Sequence, residues 1–502
     1  VVAAATLVGR HGGSLSGEHG DGRARGALLP YMYSPKAIEA FAAVKHAFDP
    51  DNLLNPGVLV DPVPVDRDLR VPEARPLRKR LAFAYPHDGG DLSTAVHRCV
   101  GVGKCRADTT AAGGVMCPSY LATRDEKDST RGRARVLQEM ANGTLVRGPK
   151  AREVHEALDL CLSCKGCASD CPAGVDMATY KAEVLHQKYR HRLRPASHYS
   201  LGWLPRAARI SSCAPRMANA ALRRPNLAAT VKRLGGIDAR RRLPQFATRT
   251  FRSWFGKRAA AGGAPVLLWV DTFTNHFTPE VGQAAVRVLE AAGYRVQIPA
   301  KPVCCGLTWI STGQLDGARR RLRKTLDALD AAVQLGIPIV GLEPSCTAVL
   351  RSDLAELLPD DPRAAKVAAA TCTLAELLGA TAGWTAPPLH DVTAVAQPHC
   401  HHHAVMGWTP DETLLRNAGA QVTAVGGCCG LAGNFGVERG HYEVSVAVAE
   451  NALLPAVRSA PHDAVLLADG FSCRTQLEQL AGVHSIHLAQ LLDQHLPDQR
   501  ND

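Results

Sequence analysis

The chain has 502 residues, enough for several domains with cores of their own. Its 46% hydrophobic and 21% charged residues are ordinary for globular protein, and no apolar run approaches the roughly 20 residues that span a bilayer. The net charge of +11 is concentrated: residues 188–258 hold eighteen Lys and Arg against one acid, Asp238, so the remainder is net acidic.

The opening VVAAATLV is too short for a signal peptide and lacks its charged start and cleavage site. With no initiating Met, the chain is expected to be a piece of something longer. Residues 1–62 are expected to form a strand, the glycine-rich loop GGSLSGEHGDGRARG, the helix PKAIEAFAAVKHAF and a breaker turn, DPDNLLNPG. Ser34 is the expected N-cap of that helix, with Pro35 at its first position. Residues 63–90, rich in Pro and charge, are an expected linker.

Residues 91–187 hold two cysteine groups separated by helix-spaced apolar positions in DSTRGRARVLQEMANG and AREVHEALDLCLSC. Residues 188–263 are the basic connector, ended by the hinge AAAGGAP. It has two readings. One is docking on anionic lipid at the inner face of the membrane or on an acidic partner; the other is a solvated helical connector whose arginines pack along other domains. Nucleic acid is not an expected partner, because the segment has no reading module and few stacking aromatics.

From residue 264 the chain repeats itself, over 264–386 and then 387–495. PVCCGLTW and IPIVGLEPSC in the first copy answer GGCCGLAGNFG and HDAVLLADGFSC in the second. Short β-branched runs alternate with longer helical stretches, so each copy is expected to be an α/β unit with parallel strands and its cysteines at the ligand-binding strand ends. The expected fold class is multidomain, α+β and α/β.

The sixteen cysteines cluster as CxxC runs and CC pairs, which favours metal ligation in a reducing cytoplasm over disulfides. Cys161, Cys164, Cys167 and Cys171-Pro172 have the spacing by which bacterial ferredoxins hold cubane clusters. The fourth cysteine of such a run serves a second cluster, and Cys99, Cys105 and Cys117-Pro118 supply the other group. Val102 stands where a ferredoxin places its middle cysteine. The expectation is a 4Fe-4S cluster on Cys117, Cys161, Cys164 and Cys167, and a 3Fe-4S cluster on Cys99, Cys105 and Cys171. Asp108 is the alternative ligand that would complete four irons in the second. In its Val-for-Cys departure the segment resembles the iron–sulfur subunits of succinate dehydrogenase-like enzymes.

On PVCCG, EPSC, GGCCG and DGFSC, residues 265–490 resemble the cysteine-rich CCG domain of heterodisulfide reductase and of glycolate and lactate oxidation systems. The second copy, with Cys400, Cys428, Cys429 and Cys473, is expected to bind a cluster, although Gln476 stands where the family's pattern ends in cysteine. The first keeps Cys304, Cys305 and Cys346, lacks a cysteine in DTFTNHF, and is expected to be degenerate or structural. The histidines of HCHHHAV are rival zinc ligands for the second site. Cys213 and Cys372 read as isolated buried thiols.

GGSLSGEHGDGRARG followed by FDPDNLLNPG resembles the C-terminal end of the FAD-linked oxidases of D-2-hydroxy acids. The resemblance implies His19 as base and Glu18 as metal or carboxylate ligand, with Arg23 and Arg25 as partners for a substrate carboxylate. The family's flavin-binding domain is not in this sequence. The chain therefore reads as the C-terminal part of a fused flavin and iron–sulfur dehydrogenase of the D-lactate or glycolate type, passing electrons from FAD toward a quinone or similar acceptor. A flavin-binding domain or subunit is the implied partner. The location expected is cytoplasmic, peripheral on the membrane. The alternatives are a non-catalytic electron-transfer subunit and a zinc-stabilised scaffold.

Overall fold

A computed structural model describes residues 1–69, 71, 74–259 and 261–497. Arg70, Pro72 and Glu73 of the expected linker and Ala260 of the expected hinge lie outside the described residues. The chain divides into two compact units between Ala74 and Arg75.

The first unit opens with helix α1, Val2–Arg10, where a strand was expected. Ala3, Ala4, Ala5 and Leu7 are strong helix formers and outweigh the β-branched Val2, Thr6 and Val8. Helix α2, Pro35–Phe48, begins as read: the Ser34 hydroxyl accepts from Ala37 N at 3.4 Å, and Pro35 opens the first turn. It ends on Asp49, whose carboxylate accepts from Leu53 N and Leu54 N and pairs with the Lys45 ammonium. No residue of α2 is buried, and Val44, Phe48, Leu53 and Leu54 are exposed.

The second unit starts with a helical, cysteine-bearing segment. Its helices are α3 (Leu92–His97), α4 (Pro118–Thr123), α5 (Thr130–Asn142), α6 (Arg152–Asp159), α7 (Gly166–Asp170) and α8 (Met177–Lys188). The Ser129 side chain caps α5 by accepting from Gly132 N at 2.9 Å. Its buried stripe, Arg133, Ala134, Leu137 and Met140–Ala141, follows the helical period and packs with Val96, Leu158 and Tyr180.

The basic segment forms helices α9 (Leu204–Ser211), α10 (Pro215–Arg223) and α11 (Pro225–Gly235), each with a proline in its first turn, where a missing N–H costs nothing. Several arginines pack along other parts of the unit. Arg194 donates to Thr312 O at 2.7 Å and Gly313 O at 2.8 Å, Arg258 pairs with Glu290 at 2.6 Å, and Arg241 is fully buried. Others, among them Arg209, Arg216 and Arg233, are exposed.

Two parallel sheets follow. Strands β1 (Ala264–Trp269), β2 (Tyr294–Gln297), β3 (Ile339–Gly341) and β4 (Thr371–Thr373) lie in the order β2-β1-β3-β4. Strands β5 (Thr393–Ala396), β6 (Gln421–Ala424) and β7 (Val465–Leu467) lie in the order β6-β5-β7. Val266 pairs with Val296, Leu267 with Ile339, and Val395 with Thr423 and Leu466. Parallel strands bury both faces, and one continuous core, from Leu268 and Val340 to Ala394 and Leu415, serves both sheets.

Candidate iron–sulfur centres

The loop CLSCKGC turns sharply because Ser163 and Lys165 adopt left-handed backbone, φ 55° and 58°. Gly166 is required where this loop meets the next: a Cβ there would lie 2.7 Å from Val115 Cγ1. Asp170 holds that neighbouring loop, its Oδ2 accepting from Val115 N at 2.7 Å and Met116 N at 2.9 Å. The result places Cys117 with Cys161, Cys164 and Cys167 around one small cavity. Burial works against ionisation of Asp170, yet the hydrogen bonds from His403, Met116 N and Val115 N hold it at about 2.

Two buried cations, Arg133 and Lys165, line the same cavity as these thiols. Arg133 donates to Ala157 O at 2.8 Å and to Cys117 Sγ at 3.6 Å, and its Nη2 is buried with no hydrogen-bond partner among the described residues. Burial pushes the Cys117 thiol up, but the Arg133 guanidinium and the Ser119 hydroxyl bring it below its ordinary value. Burial and the adjacent thiols push Cys164 and Cys167 well up. Lys165, between them in sequence, is buried with Asp176 at 2.9 Å and Asp353 at 3.0 Å. Arg133 was legible as a charge on the apolar stripe of its helix; Lys165 carried no such signal.

In the second group, Cys105 is buried, its Sγ accepting from Arg131 N at 3.4 Å, and Cys99 is half-buried nearby. Arg98 Nη1 donates to Gly174 O at 3.1 Å, which brings the segment bearing Cys171 beside the one bearing Cys99. Val102 is exposed, and Asp108 Oδ1 is engaged by Thr110 N at 3.0 Å and Thr110 Oγ1 at 2.6 Å.

Cys400 follows β5, Cys428 and Cys429 follow β6, and Cys473 follows β7, so adjacent strand ends deliver four buried thiols. Cys428 is in hydrogen-bond contact with Cys400 and Cys429, and Cys429 with Cys473. Donation from Cys428 and Cys473 lowers Cys429 well below the ordinary thiol value. Gln476, in the position of the absent cysteine, is fully buried: its Oε1 accepts from Arg241 Nη1 at 2.8 Å, while Arg241 Nη2 donates to Ser445 Oγ at 2.7 Å. A polar network thus fills the place of a fifth thiol.

The histidines of HCHHHAV take different partners, and His402 gathers with Asp411 and Asp469. His401 Nε2 meets Ser163 O at 2.9 Å, His402 pairs with Asp411 at 3.3 Å and His403 with Asp170 at 2.7 Å. His399, held neutral to about 3 by burial and by His401, stands beside Cys429. In the first copy Cys305 and Cys346 are 3.1 Å apart and Cys304 Sγ accepts from Gly306 N at 3.4 Å. Contact with Cys305 draws Cys346 down, but burial and the Asp271 and Glu343 carboxylates push it up to about 12. All sixteen cysteines are free; Cys213 is exposed instead of buried, and Cys372, on β4, is half-buried.

The two four-thiol sets are neighbours. Cys164 and Cys400 belong to one buried cluster with Leu162 and Phe435. Gly427 N donates to Gly114 O at 2.8 Å, and Gly426 lies so close to Thr110 that a Cβ would stand 2.2 Å from its carbonyl oxygen. Dense thiols around a cavity, with the Arg133 guanidinium donating to Cys117, are the donor set an iron–sulfur group requires, and the residues fit it.

In the first unit, His19 and Glu18 sit together on the glycine-rich loop, 4.0 Å apart and both exposed. Arg23 donates to Val63 O at 3.0 Å and Pro64 O at 3.2 Å and pairs with Asp68 at 3.7 Å; Arg25 donates to Leu15 O at 3.1 Å. Both arginines therefore brace main chain around the loop.

Residues 2–59 match the family of FAD linked oxidases, C-terminal domain; 95–175 match the 4Fe-4S dicluster domain; 271–351 match the Cysteine-rich domain. The chain is 26% identical to the D-2-hydroxyglutarate dehydrogenase of Escherichia coli K12, over 97% of this chain and 52% of that protein. It thus spans about half the length of the curated relatives of that name. It is 22% identical to the Glycolate oxidase iron-sulfur subunit of Escherichia coli K12, over 81% of this chain and 95% of that protein. Against a subunit of the anaerobic glycerol-3-phosphate dehydrogenase of Escherichia coli K12 it is 31% identical, over 52% of this chain and 67% of that protein. Dicluster and cysteine-rich segments lie side by side here with their thiols gathered, and the chain belongs, as an iron–sulfur protein, to the family of that glycerol-3-phosphate dehydrogenase component.

Proposed function

We propose that this chain is the iron–sulfur electron-transfer portion of an FAD-linked dehydrogenase of D-2-hydroxy acids, working with a flavin-binding domain or subunit. The observation that carries the reading is the contiguity of two four-thiol sets, Cys117, Cys161, Cys164 and Cys167 beside Cys400, Cys428, Cys429 and Cys473. Iron–sulfur clusters, when bound, accept and release electrons one at a time.

The remaining work falls to the chain's own residues. Each set would hold a 4Fe-4S cluster through four thiolates; Cys99, Cys105 and Cys171 would hold a 3Fe-4S cluster, Val102 leaving one corner without a thiolate. Arg133 near the first set and Arg241 near Cys429 place fixed positive charge where thiolates gather, and burial keeps water from screening it. Cys304, Cys305 and Cys346 would be structural. On the first unit, His19 Nε2 would accept the hydroxyl proton of a 2-hydroxy acid as general base. Glu18 stands beside it for a metal or the substrate, and Arg23 and Arg25 supply cations for the substrate carboxylate. The exposed apolar face of α2 fits a flavin-binding partner. The exposed arginines of α9–α11 support placement at the cytoplasmic face, peripheral on anionic lipid. No described helix is long and apolar enough to cross a membrane.

Anaerobic reconstitution with iron and sulfide tests this reading. A brown protein with at least about eight irons per chain, reduced when a flavin-binding portion and D-2-hydroxyglutarate, D-lactate or glycolate are supplied, supports it. Colourless, iron-free protein refutes it. His19→Ala is expected to slow substrate oxidation by about 10²–10⁴-fold with iron content unchanged.

A further inference from the structure

We propose that the large apolar cavity beneath helices α9 and α10 binds the ring of a lipid-soluble quinone. This rests on the electron-transfer reading above and deepens it by locating the acceptor. The cavity is about 470 Å³, within the range of small-molecule sites. Leu162, Leu204, Leu222, Phe273, Phe277 and Phe471 give it an apolar wall, with Phe273 and Phe471 stacked at 4.7 Å.

Its position matters more than its size. Cys400 lines it, and so do Leu162 and Ser163, which lie between Cys161 and Cys164 in the chain. An occupant would therefore touch the walls of both four-thiol sets at once. Polar and charged side chains, among them Lys165, Arg241 and Asp353, interrupt the apolar wall. One group of them, Ser345, Glu343, Ser472 and His399, borders the same space, with Ser345 Oγ 2.7 Å from Glu343 and Ser472 Oγ 3.4 Å from His399. An apolar ring with carbonyl oxygens at its edge matches such a wall. A 2-hydroxy acid, all charge and hydroxyl, does not.

The roof indicates the source of the ligand. On α9–α11 the apolar Ile210, Met217 and Leu234 are exposed among the exposed Arg209, Arg216 and Arg233. Exposed apolar side chains interleaved with arginine suit the surface of an anionic bilayer, in which quinones dissolve. The stoichiometry also closes. Converting the C–OH of a 2-hydroxy acid to C=O releases two electrons and two protons, and one quinone takes up two electrons and two protons to become its quinol.

Binding can be read without turnover. The reconstituted full chain is titrated by calorimetry with a benzoquinone carrying a decyl tail, and a photoreactive azido form of it is cross-linked and mapped by mass spectrometry. The expected result is saturable 1:1 binding, label on the segments that line the cavity (162–165, 200–246, 273–277, 307–311, 343–345, 399–401, 431–437 or 471–479), and weakening by at least about tenfold in Leu204→Trp and Ala221→Trp with iron content and visible absorption unchanged. No binding to protein with full iron, or label elsewhere, overturns this inference and leaves the electron-transfer reading standing. Absence of iron overturns both. Should the tryptophan variants lose iron, the label map on the unaltered chain decides alone.

Discussion

Arg133 shows what a single side chain contributes to a cluster site. Its guanidinium is buried against Cys117, and a fixed cation favours the more negative, reduced state of whatever those thiols hold. Replacing it in Arg133→Met is expected to lower that centre's reduction potential by on the order of tens of millivolts, read by redox titration. Val102 offers the converse experiment. Val102→Cys supplies the absent corner thiolate, and the oxidised-state EPR signal of a three-iron cluster is expected to disappear as one iron is gained. Residue types at regular spacing were legible: the cysteine groups of residues 99–171 and the CC pairs stood out by their gaps alone. The roles of Lys165 and Arg241 were not, and Arg241 reaches Gln476 and Ser445 from about two hundred residues away. No local pattern encodes such a contact.

Among the elements, helix α2 was fully legible because its signals are local, a Ser cap and a Pro at the first position. Helix α1 stands where a strand was expected, because the run Ala3–Ala5 with Leu7 favours helix over the β-branched residues around it. The turn after α2 makes a pH prediction. Asp49 is held at about 2 against 3.8, chiefly by the Lys45 hydrogen bond and those from Leu54 N and Leu53 N. Its depressed value means this stabilisation is complete above 3.8 and is lost as pH falls toward 2; Asp49→Asn is expected to remove that dependence from acid melts of the first unit. His276 has the opposite charge but the same sense with pH. Burial and Arg209 hold it at about 4 against 6.5, while it bonds Ser212 Oγ at 2.7 Å. The unfolded chain takes the proton first, so stability is full above 6.5 and declines toward 4. Thermal melts across that window should flatten in His276→Gln. On the exposed face of α2, Phe48→Ser is expected to change stability by less than about 0.5 kcal/mol while weakening association with a flavin-binding portion, measured by pull-down of that portion.

For the molecule as a whole, the duplicated parallel units were visible as a repeat, and the basic run as a charge imbalance. Their consequences in space were not. Part of the arginine excess is internal, tied to Thr312, Glu290 and Gln476, and part is exposed on α9–α11, so both readings of that segment have side chains to rest on. Co-sedimentation with phosphatidylserine vesicles is expected at low salt and lost near about 0.5 M, where the screening length falls to a few ångströms. The clasp between segments carries a further consequence. Asp170 grips the Cys117 loop with one oxygen and His403 with the other, while Gly427 hangs on Gly114. Dismantling either thiol nest would slacken its neighbour, so once both are loaded with iron and sulfide a chelator should strip colour from both in a single concerted phase instead of two.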